Sequence, residues 1–479
     1  MEVTGVEAKK LLMTLLEGHA TVYIRVDGGK IVDVLYQGVD VRFFETFWVG
    51  NLVDELPRIT PMICGVCSAT HHVCSAKAVD IVRGAEPPPT AVRIRDVMNY
   101  ALHLNNQAMH LVALGLPDFL PPDTPRRSLI QLAKTRPKLV KTGLELVELG
   151  FQIIKVFGGR DVHPINAIPG GVARPPNRQD VEKLADTMKK KEPVLKTFAE
   201  EAWSLLQENH EKIEQYKPHY RYMMGLDPGS LYNPSHGTVK IIDENGTLKA
   251  SFPDKGTKYL EELDEHTLDY TYIRHVTPKG GDPKRDSIMV GALARLNTVT
   301  EYGVEWADEL RDKVFEEWGR PARHTLLTHY ARIIETIALY KILEEKLAKE
   351  DYYTPPHATP PTRSSGEGAA VVEAPRGILI HHYASDQDAK TTFINIITPT
   401  AINASAIEAD LRGRLIGREI NKTRNLYAEV AAIVRAYDPC MSCSTHATNT
   451  TPITIRIIDK NTQPKTLLKP PRRRRMNQP

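Results

Sequence analysis

The sequence predicts an α+β chain that is mainly helical, and three observations carry that expectation. Long stretches repeat apolar side chains every three or four residues, alternating runs cluster in two places, and no glycine-rich phosphate or dinucleotide loop is present. At 479 residues, with 41% hydrophobic and 25% charged side chains, the composition is that of an ordinary globular protein with a large core. A mostly disordered chain is excluded, and no run of about 18 uncharged apolar residues exists to span a membrane. The opening MEVTGVEAKKLLMTLLEGHA is interrupted by acids and lysines and lacks the apolar stretch of a signal peptide.

Residues 1–60 read as a β region, in which ATVYIRV and KIVDVLYQ alternate around Asp27-Gly28-Gly29, the chemistry of a hairpin turn. Helical periodicity then predicts a helix from Thr90 to Leu116 and others over 138–157, 178–216, 297–349 and 402–437. The last ends where Pro439 follows Asp438. Within this helical body, 226–290 reads as a β-rich insertion, because TVKIIDENGTLKASF places an Asn245-Gly246 turn between alternating strands. Proline, serine and glycine make 351–368, DYYTPPHATPPTRSSGEG, a loop. The expected organisation is one catalytic body over 1–446 followed by a basic tail, 447–479.

The formal net charge of +3 is unevenly spread. Arg456, Lys460, Lys465, Lys469 and Arg472 to Arg475, against Asp459 alone, give the tail +7 and leave −4 for the rest. The basicity is therefore local, and the chain as a whole makes no electrostatic case for nucleic acid. The arginine run reads as a solvated end, with nuclear targeting or nucleic-acid contact as the sharper alternative.

Five cysteines are present: Cys64, Cys67, Cys74, Cys440 and Cys443. An odd, sparse count is a poor disulfide framework, whereas four of them form two C-x-x-C pairs at opposite ends of the chain. Each pair can turn two sulfurs toward one metal, so the two together suggest a single four-thiolate site. A structural zinc site is the commoner use of such pairs. Zinc ribbons, however, gather their ligands within a few tens of residues, and thiolates also suit nickel, iron and copper.

The flanking residues narrow the choice. RITPMICGVCSATHHVCSAKAVD and DPCMSCSTH resemble the two signature motifs of the [NiFe]-hydrogenase large subunit, and LLEGHATV, RFFE, FGGRDVHPINAIPGG and EAPRG follow that family's order. The resemblance covers nearly the whole chain and implies a helical-bundle core. It also implies that Cys64, Cys67, Cys440 and Cys443 hold nickel, with Cys67 and Cys443 bridging to an iron that carries CO and cyanide. Cys440 would be the terminal thiolate that takes a proton when H₂ splits heterolytically, and Glu17 the carboxylate that relays it.

The same resemblance places Arg376 over the bimetallic site and offers Asp118, in LPDF, as the acid that orients it. Leu379 and Thr400 would line the pocket of the diatomic ligands, and His71 would sit beside a bridging sulfur. Glu45 and His446 match ligands of a magnesium or iron ion near the C-terminal histidine. Cys74 has no motif role. Two departures stand out: Met62 occupies a position where the family usually has Arg, and the chain runs on past His446, where members are commonly clipped after nickel insertion.

No further cysteine quartet is available for an iron–sulfur cluster, so a separate iron–sulfur small subunit is implied as electron acceptor. Further electron-transfer subunits, a maturation chaperone and a C-terminal endopeptidase belong to the same expectation. The wording SAKAVD and APRG resembles the cytoplasmic, cofactor-coupled group, with export through a partner's signal as the alternative. Two other functions remain open at this point: a metal-free, quinone-binding subunit related to respiratory complex I, and a structural zinc protein.

Overall fold

The computed structural model describes residues 7–121, 123–124, 127–422 and 425–445, with two short paired strands at Arg456–Ile457 and Lys465–Thr466. The chain opens with a three-stranded antiparallel sheet of Glu7–Leu12, Ala20–Asp27 and Lys30–Gly38. Gly28 and Gly29 turn its hairpin at φ +54° and +77°, a region open to glycine. The strands stop at Gly38, so 1–60 is not β throughout: Phe44–Phe47 and Leu56–Ile59 are single helical turns, the second started by Pro57.

Four long helices form the core: Pro89–Met109, Pro137–Gly158, Arg178–Gln207 and Thr328–Lys349. Each packs on two of the others, closing a four-helix ring around residues such as Ile94, Leu104, Leu146, Ile153, Phe198 and Ile337, all fully buried. Burying each of these side chains contributes about 1.5–3 kcal/mol. The first two helices approach closely because Gly150 lacks a side chain. A Cβ there would lie 2.7 Å from Asn105 Cβ and 2.8 Å from the Ala101 carbonyl oxygen.

Two expected helices are broken where backbone chemistry breaks them. Gly319 (φ +83°) and Pro321 separate Glu305–Trp318 from Thr328–Lys349, and Gly417 (φ +85°) follows the end of Pro399–Leu415, before Leu426–Ala436 begins. The 178–216 helix ends at Gln207 and is followed by one short turn, His210–Glu214.

Residues 222–289 supply a four-stranded sheet in the order Ile288–Met289, Tyr222–Asp227, Thr238–Ile242, Leu248–Pro253, and a separate pair, Leu263–His266 with His275–Pro278. A further antiparallel sheet, Gly366–Ala374, Gly377–Ser385 and Thr391–Ile397, has no counterpart in the expectations drawn from sequence. Its two faces explain the omission. Ala370, Val372 and Leu379 pack on one apolar cluster with helix Ser68–Arg83, while Ala369, Val371, Ile378 and Ile380 pack on another with the insertion sheet. A strand covered on both sides reads as an unbroken apolar run without alternation. This sheet and the helix starting at Ser68 bring the two chain ends together.

Candidate metal centre

Cys64 ends the short turn Thr60–Ile63, and Cys67 immediately precedes helix Ser68–Arg83. That helix's N-terminus favours negative charge on a nearby sulfur. Cys440 and Cys443 flank Met441 and Ser442 in a helical turn, Met441–Ser444, that follows helix Leu426–Ala436. The four sulfurs all lie within 4.8 Å of one another and all four residues are buried. Cys64 Sγ is 3.3 Å from Cys440 Sγ, and Cys443 Sγ is 3.1 Å from both Cys67 Sγ and Cys440 Sγ.

Four buried thiols so close together cannot all ionise without a cation. Hydrogen bonds from Cys440, Cys443 and Cys67 hold the Cys64 thiol well below its ordinary range, while burial drives Cys440 and Cys443 well above theirs. A soft divalent metal removes that conflict, because coordinated thiols lose their protons outright. The donor set therefore fits a soft metal, nickel and iron among them. Cys74 stays apart: its Sγ donates to the Ala370 and Leu379 carbonyls at 3.5 and 3.7 Å, and burial pushes its thiol up to about 12.

Glu17 reaches the rear pair from the connection between the first two strands of the N-terminal sheet. Cys440 Sγ donates to Glu17 Oε2 at 3.1 Å, the Ser442 amide donates to the same oxygen at 3.0 Å, and the Ser442 hydroxyl donates to Oε1. The Met441 amide donates to the Glu17 carbonyl at 3.0 Å, so the two segments are joined by backbone as well. This approach needs glycine at position 18, where φ is +78° and a Cβ would sit 2.7 Å from Met441 Cβ. On the other side, Thr400 Oγ1 accepts the Cys440 amide at 3.0 Å.

Arg376 projects from the turn between the first two strands of the late sheet. Its Nε and Nη2 donate to the Asp438 carbonyl and Oδ1 at 2.8 and 3.2 Å, and Nη1 donates to Asn106 Oδ1 at 3.0 Å. Burial opposes the charge of Asp438, but Arg376, His110 and Arg332 together outweigh it and hold the carboxyl well below the usual range. Asp438 itself adopts φ +52°, a left-handed conformation costing on the order of 1 kcal/mol, directly before Pro439 and Cys440.

Asp118 does not face Arg376. Its Oδ1 accepts from Arg435 Nη1 at 2.6 Å and its carbonyl accepts from Arg127 and Lys212, because the wide turn His110–Gly115 carries LPDF toward helix Leu426–Ala436. The acid beside Arg376 is Asp438, with Asn106 as the neutral partner. Neither is singled out by sequence, although Asp438 stands two residues before Cys440 in DPC. Ser442, which clamps Glu17, also stands inside DPCMSCSTH, but the resemblance gives it no role.

The remaining expected residues are placed as follows. His71 Nε2 lies 3.5 Å from Cys443 Sγ, and Leu379 packs in the apolar cluster that includes the four cysteines. Glu45 is buried and its Oε1 accepts from Arg42 Nη2 at 2.8 Å. His446 and most of the tail lie outside the described residues.

The family model described as nickel-dependent hydrogenase matches residues 42–123 and 230–446. The chain belongs to the nickel-dependent hydrogenase family. Among its relatives, a chain of the F420-non-reducing hydrogenase of Methanothermobacter thermautotrophicus is 31% identical over 451 residues, covering 91% of this chain and 93% of its own length. The NAD-reducing hydrogenase HoxS subunit beta of Cupriavidus necator is 29% identical over 482 residues, covering 93% and 96%. A crystal structure of an NAD⁺-reducing [NiFe]-hydrogenase in the H₂-reduced state superposes with a TM-score of 0.82 at 27% identity, covering 92% of this chain and all of the other. The hydrogenase is thus an oxidoreductase of the large-subunit type, and its four clustered cysteines fit a nickel–iron site. The family match counts against the zinc reading, and together with the buried quartet it counts against the metal-free, quinone-binding one. Among the described residues, no helix is long and apolar enough to cross a membrane.

Proposed function

We propose that this hydrogenase cleaves or forms H₂ reversibly, with Cys440 Sγ as the base and Glu17 as the first proton relay. The observation that carries this reading is the 3.1 Å contact between Cys440 Sγ and Glu17 Oε2, made beside three further buried sulfurs. Cys64, Cys67, Cys440 and Cys443 would hold nickel, with Cys67 and Cys443 shared by an iron bearing CO and cyanide. The bound metals supply the electron-accepting centre at which H₂ is polarised. Cys440 then takes one proton and hands it to Glu17 Oε2, while Ser442 fixes the carboxylate through its amide and hydroxyl. Arg376 keeps a positive charge in place over the sulfurs, because Asp438 and the thiolates outweigh the burial that opposes it. Glu45 and His446 are proposed as ligands of a magnesium or iron ion, with Leu379 and Thr400 beside the diatomic ligands.

Electrons would leave through an iron–sulfur small subunit seated over the front pair. There Met62, Val66 and Val162 are exposed apolar residues, and Val162 lies against Gly65 between the two cysteines. The relatives named as subunits of F420-non-reducing and NAD-reducing hydrogenases favour a multi-subunit enzyme with further electron-transfer partners. A cytoplasmic location, a maturation chaperone and a C-terminal endopeptidase are proposed with it on the resemblance of the motifs. The test is metal analysis and infrared spectroscopy on protein matured with its own accessory proteins. Nickel and iron at about one each, with CO and cyanide bands and H₂-dependent dye reduction, are expected; zinc without nickel would sink the reading.

A further inference from the structure

His71 approaches Cys443 with one ring nitrogen and is held by the other. Its Nδ1 is 2.9 Å from His381 Nε2, His381 Nδ1 is hydrogen-bonded to Tyr383 Oη, and the Tyr383 and Ser75 hydroxyl oxygens are hydrogen-bonded at 3.0 Å. All four side chains are buried, with at most 1% exposed.

The ladder follows from secondary-structure spacing. His71 and Ser75 are four apart on helix Ser68–Arg83, hence on one face and about 6 Å apart along the axis. His381 and Tyr383 are two apart on strand Gly377–Ser385, hence on one face and about 6.6 Å apart. The helix packs on this strand, so the matched intervals bring two rungs into register. His71 Nδ1 meets a ring nitrogen of His381, so the bond between the two rings fixes how the His71 ring is turned toward Cys443.

We propose that His381, Tyr383 and Ser75 are positioning residues that hold the His71 ring against Cys443, so that the surroundings of this sulfur are set from the strand and not by solvent. The proposal rests on the metal-centre reading above, and outer hydrogen-bond partners of metal sites commonly change activity by about 10- to 100-fold.

The test uses the matured complex carrying Tyr383→Phe, Ser75→Ala or His381→Gln. Tyr383→Phe removes one hydroxyl and keeps the ring. Its nickel content is expected to match wild type while the CO and cyanide bands shift and kcat falls about 10-fold at unchanged KM for H₂. Ser75→Ala should shift the bands in the same direction by less, and His381→Gln, which retains a donor and an acceptor, should restore part of what an alanine at that position loses. Bands at the wild-type positions in Tyr383→Phe and Ser75→Ala, with wild-type kcat, overturn this inference alone. A wild-type preparation without nickel and without those bands overturns the metal-centre reading, and this inference with it.

Discussion

Cys64 and Cys67 are joined by two solvent-facing residues, Gly65 and Val66, whereas the residues joining Cys440 and Cys443 are buried Met441 and half-buried Ser442. The spacing is identical and the surroundings are opposite. The front pair lies under a thin cover formed by the turn Thr60–Ile63 and the loop of Val162 and His163, whose Nδ1 is 3.0 Å from the Pro61 carbonyl oxygen. The rear pair is gripped from several directions by Glu17, Thr400 and Gly38, where a Cβ would lie 2.8 Å from Thr445 Cγ2 and 3.0 Å from Met441 Cε. Ligand spacing alone therefore says nothing about the division of labour. An exposed front suits electron exit to a partner, and a rear with a carboxylate in hydrogen-bond contact suits proton exit.

The two pairs should nevertheless fail alike when a ligand is lost. Cys64→Ser and Cys440→Ser are each expected to strip nickel and abolish turnover, beyond the ~100-fold loss typical of an outer partner. Metal analysis checks this, and a variant that keeps its nickel and its rate would break the single-site reading. Glu17→Gln separates the two sides. It should lower H₂ turnover by about 10²- to 10⁴-fold with metal content intact, and a wild-type rate would remove Glu17 from the proton route.

Two buried acids, Asp438 beside Arg376 and Asp118 beside Arg435, give the next contrast. Asp118→Asn leaves buried Arg435 without its charged partner and should destabilise the fold by about 3–5 kcal/mol. Turnover per bound nickel should stay close to wild type. Asp438→Asn loosens Arg376 and should lower turnover per nickel instead. The reverse pattern in thermal melts and steady-state rates would return Asp118 to the site.

That contrast also marks how far the sequence can be read. The cysteine pairs, Glu17 and Arg376 sit in local motifs, and the helical core follows from periodicity that packing reinforces. A short local match points to Asp118, but it carries no information on which arginine an acid meets across the fold. Arg435, the partner Asp118 does meet, lies on a helix that periodicity alone merges with its predecessor. The sheet of Gly366–Ile397 stays hidden because both its faces are covered. Asn106, inside an unremarkable helix, carries no signal until Arg376 is seen to donate to it.

Acidity should produce the smallest effect, confined at first to the cover of the front pair. His72 uses both ring nitrogens there: Nδ1 donates to the Pro57 carbonyl at 2.6 Å and Nε2 accepts the Ala167 amide at 2.8 Å. Only the neutral ring can do both. Burial pushes its pKa down to about 4, against about 6.5 in an unfolded chain. Because the folded value is the lower, the stabilisation is complete above about 6.5 and drains as pH falls toward 4, by up to ~1.4 kcal/mol per pH unit. Hydrogen exchange at the Ala167 amide, corrected for its intrinsic rate, should lose up to about tenfold protection per unit across that window. Asp438 remains ionised over the same range, since its carboxyl is held well below the usual value, so its grip on Arg376 should persist. Protection at Ala167 that does not change with pH would mean that His72 carries no such load, and that the front cover is held by His163 and the backbone alone.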